Sequence, residues 1–170
     1  DENVIEWING NHNLAGSEFY INGDNSHIIN GTNTKNGVTK TLEGIIVGID
    51  ENQNQQKLDI VNVKSYQGFN SAVINNQGLV YVSGSTLEEN NSTGNGGAIR
   101  NMGGEVDIKG SSTFQNNTAA NDGGAIYNTG LLKIDATSVA DKIIFTGNKA
   151  NGVANDIYST GTIDLAGNGT

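Results

Sequence analysis

Gly123-Gly124-Ala125-Ile126-Tyr127-Asn128-Thr129-Gly130-Leu131-Leu132-Lys133-Ile134 decides the fold, because the chain repeats it. Ser71-Ala72-Val73-Ile74-Asn75-Asn76-Gln77-Gly78-Leu79-Val80-Tyr81-Val82 stands earlier. Its isoleucine, second asparagine, glycine and two apolar positions coincide with no gap. Between the two lies Gly96-Gly97-Ala98-Ile99-Arg100-Asn101, followed by Gly104-Glu105-Val106-Asp107-Ile108. After them come Ala154-Asn155-Asp156-Ile157-Tyr158-Ser159 and Gly161-Thr162-Ile163-Asp164-Leu165. An isoleucine column results, Ile74, Ile99, Ile126 and Ile157, at steps of 25, 27 and 31 residues. Self-similarity at such a period marks a stacked repeat.

A second column keeps step with the first. Phe114-Gln115-Asn116-Asn117 and Phe145-Thr146-Gly147-Asn148 share Phe-x-x-Asn, and Leu87-Glu88-Glu89-Asn90 is the same with Leu for Phe. Each Phe or Leu precedes its Ile by 12 residues, while the total length varies. One segment of every turn is therefore fixed and another is free, which predicts a protruding loop over Ala136 to Lys142.

Short alternating runs separate the Gly and Asn clusters: Leu58-Asp59-Ile60, Leu79-Val80-Tyr81-Val82, Val106-Asp107-Ile108, Leu132-Lys133-Ile134 and Ile163-Asp164-Leu165. Period two over three to five residues predicts short strands. No helical apolar stripe is present. Three short strands per repeat predict an all-β, right-handed, single-stranded parallel β-helix whose coils stack at roughly 4.8 Å. Its inward columns are the four isoleucines, Val80/Val106/Leu132/Ile163, Val82/Ile108/Ile134/Leu165, and Leu87/Phe114/Phe145. Asn76, Asn101 and Asn128, ending in Ser159, should form an inward amide ladder, and Asn90, Asn117 and Asn148 a second one. Gly78, Gly104, Gly130 and Gly161 are expected at turns of positive φ. Gly97 and Gly124, each before a small Ala98 or Ala125, suit a corner with no room for a side chain. Tyr81, Asp107, Lys133 and Asp164 form an outward column of solvated charge.

Hydrophobic residues make up only 35% of the 170-residue chain, and 27 asparagines and 24 glycines dilute them. A narrow core of like residues stacked on like explains how such a chain folds. Phe19-Tyr20-Ile21, Ile28-Ile29 and Ile45-Ile46-Val47 are candidate strands of earlier coils, with Asn22-Gly23 and Asn30-Gly31 as turns. The expected organisation is one β-helix domain over 1–170, a fragment of a longer protein. Residues 1–20, with Trp7, form its N-terminal cap, and 58–165 hold the clearest repeats.

The chemistry is sparse. With no Cys there is no disulfide, thiolate metal site or Cys nucleophile. A net charge of −9, with Arg100 the only arginine, argues against nucleic acid. No apolar run is long enough to span a bilayer as a helix. His12 and His27 are the only histidines, both in the irregular N-terminal region. His-Glu-x-x-His and Gly-x-Ser-x-Gly are absent. Gly94-Asn95-Gly96-Gly97 lacks the Lys-Ser/Thr of a phosphate loop, and Asn121-Asp122-Gly123-Gly124 is not a repeated calcium nonapeptide. No catalytic residue, metal site or cofactor is expected. The enzymatic alternative, a polysaccharide lyase or hydrolase on a β-helix, would draw on stacked carboxylates such as Asp107 and Asp164, with Lys133 between them.

The alternation of Gly96-Gly97-Ala98-Ile99 and Gly123-Gly124-Ala125-Ile126 with Phe114-x-x-Asn117 and Phe145-x-x-Asn148 resembles the repeats of chlamydial polymorphic outer membrane proteins and related autotransporter passengers. The resemblance covers roughly 58–165. It implies a right-handed β-helix, export through a C-terminal β-barrel, display on the bacterial surface and adhesion to host cells. The function expected is that of an extracellular adhesin binding a host-cell protein or glycan, fused elsewhere to a membrane-anchoring segment and open to self-association. A structural spacer is the other reading. A binding face needs exposed aromatics. Tyr66, Tyr81, Tyr127 and Tyr158 are the candidates. Tyr127 and Tyr158, in line with Arg100, form the expected partner-binding patch, against edge-of-coil packing as the alternative.

Overall fold

A computed structural model describes residues 11–13, 18–22, 28–30, 32–35, 38–41, 44–49, 53–67, 74–136, 138 and 140–167. Among these residues there are strands and no helix. Three complete coils occupy the centre. The first comprises Ile74–Asn76, Leu79–Ser83, Thr86–Glu88 and Asn91–Ser92. The second comprises Ile99–Asn101, Glu105–Lys109, Thr113–Gln115 and Thr118–Ala119. Ile126–Asn128, Leu131–Ala136, Ile144–Thr146 and Lys149–Ala150 make the third. Equivalent strands pair parallel, so each coil contributes one strand to each of four sheets. The fourth sheet, two residues wide, was not foreseen from Asn91-Ser92 and Thr118-Ala119, which are too short and polar to show alternation.

The register is the one the repeat demands. Ile99 lies between Ile74 and Ile126, and Ile126 pairs with Ile157. In the second sheet Val80, Val106, Leu132 and Ile163 are successive partners, and in the third Leu87, Phe114 and Phe145. Earlier strands extend the first two sheets to six strands: Asn11–Asn13 and Gly44–Val47 in the first, Glu18–Asn22 and Lys57–Val61 in the second. The rest of the segment expected to be a cap, residues 1–10 and 14–17 with Trp7, lies outside the described residues, as do His27, Gly23 and Gly31.

Insertions interrupt the described coils. Asp135 to Ile144 spans nine positions where the equivalent Lys109 to Thr113 spans four, which places the extra length where the variable loop was expected. Val47 to Lys57 spans ten where the equivalent Asn76 to Leu79 spans three, with Ile49 and Gln55 bridged antiparallel. Another is an antiparallel pairing of Thr32–Lys35 with Val38–Thr41. The sequence between those strands is Asn36-Gly37, the dipeptide that two-residue hairpins favour.

The core is a stack of like residues. Ile74, Ile99, Ile126, Leu87, Phe114, Val106, Ile108 and Leu132 are fully buried. Phe114 and Phe145 stack with centroids 5.0 Å apart at 12°, an arrangement worth about 0.5–1.5 kcal/mol beyond area burial. The outermost coil is less covered, since no described strand lies beyond it: Ile163 is 42% and Leu165 73% exposed.

Two amide ladders run through this core. Asn76 Nδ2 donates to Asn101 Oδ1 at 3.0 Å, Asn101 Nδ2 to Asn128 Oδ1 at 2.7 Å, and Asn128 Nδ2 to Ser159 Oγ at 2.9 Å. Asn90 and Asn117 likewise donate to the next Oδ1, both at 2.9 Å. All five lower members are buried. Each amide also satisfies corner backbone: Asn76 Oδ1 accepts from the Gly78 amide, and Asn117 Nδ2 donates to Leu87 O. A buried amide unpaired would cost about 1–3 kcal/mol.

The glycines require a correction. Gly78, Gly104, Gly130 and Gly161 do not adopt positive φ; positive φ falls at Gly84, Gly96, Gly103, Gly110, Gly123, Gly147 and Gly152, with Asn62, Glu89 and Asn116 at bends equivalent to Gly84, Gly110 and Gly147. The column from Gly78 to Gly161 is glycine because coils touch backbone to backbone. A Cβ on Gly130 would stand 2.2 Å from Gly104 O, and one on Gly161 2.2 Å from Gly130 O.

Ile126→Asp should therefore unfold the rod, placing an unpaired charge in the core at a cost above about 4 kcal/mol, whereas Lys133→Ala on the outer face should leave the urea midpoint nearly unchanged. Asn101→Ala breaks the first ladder at its middle and orphans groups on both sides. A loss on the order of 3 kcal/mol is expected in the same unfolding measurement.

Candidate functional site

Strand periodicity turns the residue after each core isoleucine outward. In Ile99–Asn101 and Ile126–Asn128 the outer residues are buried and the middle one half-exposed. Arg100, Tyr127 and Tyr158 occupy this middle position on three consecutive coils and are direct register partners. The rings of Tyr127 and Tyr158 stack with centroids 5.5 Å apart at 4°. Tyr158 is 37% exposed, and Arg100 beneath the pair keeps a buried Nε with no hydrogen-bond acceptor. The three residues singled out from sequence thus form one outward column of two stacked phenols and a guanidinium. Tyr and Arg are the types that dominate binding hot spots, since each offers a large apolar face and a polar tip at modest entropic cost.

The other two candidates lie elsewhere. Tyr66 holds the register position of Leu87 and Phe114 in the third sheet. Tyr81 faces outward on the second sheet, directly between Asp59 and Asp107.

The second sheet carries the charged column. Asp107, Lys133 and Asp164 are successive partners. Lys133, however, ion-pairs diagonally with Glu105 at 2.6 Å rather than with either neighbour directly above or below. Lys109 holds Asp107 at 3.3 Å and Lys57 holds Asp59 at 2.9 Å. Asp107 and Asp164 are thus two coils apart with a cation between them. No group of three or more metal-ligating His, Cys, Asp or Glu side chains occurs among the described residues. No helix among them is long and apolar enough to cross a membrane.

The hydrogen bond to Glu105 raises the Lys133 pKa, and the charges of Glu105, Asp107 and Asp164 add to it against the opposing cost of burial. A raised lysine pKa stabilises the fold fully below the ordinary value of 10.5 and loses that contribution as pH climbs through the raised value. An NMR titration should show Lys133 deprotonating above the ordinary value, and Glu105→Gln should bring it down.

The corners that carry the sequence motifs have separable roles. Gly96 and Gly123 sit at φ of 70° and 67°, where a Cβ would strike the carbonyl of Ile99 or Ile126. Gly97 and Gly124 admit the neighbouring coil: a Cβ on Gly97 would lie 1.9 Å from Gly124 O. Ala98, Ala125, Ile99 and Ile126 are fully buried beside them. Phe114 and Asn117 are buried in the third sheet and its corner, with Asn148 below Asn117 in the ladder and Phe145 packed against the core.

Comparison with known proteins returns one finding. Residues 111–129 match the family model of the Chlamydia polymorphic membrane protein repeat. That span contains one copy of each motif, Phe114 to Asn117 and Gly123 to Ile126. No curated protein and no solved structure matches the chain. The same motifs recur in register on the adjacent coils, so the span similar to that repeat is one of a stack of equivalent turns.

Proposed function

We propose that the chain is passenger material of a bacterial surface protein, a non-enzymatic rod that adheres to host cells through the Arg100–Tyr127–Tyr158 column. The repeat and the parallel β-solenoid both fit the passenger domain of a surface autotransporter. In this reading a membrane-anchoring segment elsewhere in the full-length protein holds the rod at the outer membrane. The partner is a host-cell surface protein or glycan. The single observation that carries the adhesive reading is the stacked, outward Tyr127–Tyr158 pair. A core-packing role would turn at least one ring inward, and neither ring is buried.

The double variant Tyr127→Ser/Tyr158→Ser changes outer-face positions only. Binding of the purified rod to cultured host cells should fall by about tenfold or more, the ~1.4 kcal/mol scale of an aromatic hot spot. Unchanged binding by a variant with an intact melting transition would leave this surface a spacer wall.

A further inference from the structure

The outward column of the first sheet holds a cation that the protein itself leaves unused. On the second sheet Lys57, Lys109 and Lys133 each hold a carboxylate. Arg100 has no carboxylate, hydrogen-bond acceptor or aromatic ring as a partner among the described residues. Its Nε is closed from solvent and out of a ligand's reach. The two terminal nitrogens are not closed, and the side chain is half-buried. Among the described residues no hydrogen bond engages the hydroxyl of Tyr127 or Tyr158 either.

The surroundings are uncharged. Each strand here is three residues long with its two outer residues on the core side, so the outer wall of the sheet is one side chain wide. The turn residues that follow these strands, Met102, Thr129 and Thr160, are neutral. Asp156, just before Ile157, turns its Oδ1 to Asn148. One positive charge therefore stands without a counter-charge on this wall, in a chain whose net charge is −9.

These features select the ligand class. A guanidinium donates only, and its planar edge matches a carboxylate with two parallel hydrogen bonds. With Nε closed, the edge left open is the one between the terminal nitrogens. The acidic chain repels a polyanion at longer range, so a single charge is favoured. From Arg100 to Tyr158 the column covers two coil spacings, about 10 Å. A wall that short and one side chain wide is far below the ~800 Å² that a stable protein interface takes from each partner. It suits a sugar with an acid at one end and hydroxyls along the rest.

We propose that the Arg100–Tyr127–Tyr158 column binds a carboxylate-bearing sugar at the end of a glycan. The acid forks onto the terminal nitrogens of Arg100, and ring hydroxyls exchange hydrogen bonds with the phenol hydroxyls of Tyr127 and Tyr158. The inference rests on the adhesive reading and narrows its partner to an acidic glycan.

The test is calorimetry and saturation-transfer NMR on the 170-residue chain with sialyllactose and methyl glucuronoside. Lactose is the neutral comparison, a heparin oligosaccharide the polyanion and a short acetylated glutamate peptide the other source of a carboxylate. At least one acidic sugar should bind, about tenfold or more tighter than lactose, and weaken as salt rises. Arg100→Gln should lower that affinity by about tenfold or more. Arg100→Lys, which keeps the charge and loses the fork, should also bind more weakly than the parent, and it decides alone should Arg100→Gln prove unfolded by its melting curve. The proposal is overturned if no acidic sugar binds, if lactose binds as well, if heparin or the peptide binds in preference, or if a folded Arg100 variant keeps the parent's affinity. Enzymatic removal of terminal acidic sugars from host cells should reduce adhesion of the rod. Adhesion that survives this treatment but is lost in Tyr127→Ser/Tyr158→Ser overturns the acidic glycan and keeps the adhesive reading. Adhesion that the double variant leaves intact overturns both.

Discussion

Backbone hydrogen bonding from coil to coil holds every residue over its counterpart one turn away, at roughly 4.8 Å. All other features of this molecule follow from that spacing. Isoleucine must lie on isoleucine and phenylalanine on phenylalanine, because a mismatch in volume would leave a void or a clash in a core one side chain wide. Where two coils approach by backbone, as at Gly104, Gly130 and Gly161, not even a Cβ fits. Sequence identity between turns is the packing condition itself.

The same spacing makes buried asparagine favourable. A lone amide in an apolar core is costly, but a column of them at hydrogen-bond distance gives each donor the next acceptor. Their remaining groups take up the corner backbone that no strand pairs with, as Asn101 Nδ2 does with Gly104 O at 2.9 Å. The ladders therefore bring the chain around its corners without proline or disulfide. They also explain how 35% hydrophobic residues suffice, since part of the interior is closed by amides.

Outside the core, identical spacing produces columns of like or complementary groups rather than clefts. Stacked phenols line one sheet, and aspartates, lysines and a tyrosine line the next. Such walls present extended, shallow surfaces suited to contact. The ion pairs on this wall run along a strand, Lys57 to Asp59 and Lys109 to Asp107, or diagonally between coils, Lys133 to Glu105.

Period and phase alone determined the central strands of the first three sheets, the inward isoleucine and phenylalanine columns and both amide ladders, because a repeat that must stack on itself writes its contacts directly as sequence spacing. The outward placement of Arg100, Tyr127 and Tyr158 followed from the same phase. Tertiary structure alone decided what depends on distances across coils rather than on order along them. The Gly78–Gly161 column is spared a side chain by a neighbouring carbonyl and not by its own φ. Lys133 chooses a diagonal glutamate over the aspartates stacked on it. Tyr66 takes the register position of Leu87 because its strand pairs with Thr86–Glu88. Oδ1 of Asp59 and of Asp107 loses solvent without gaining a donor only when separate coils close around it.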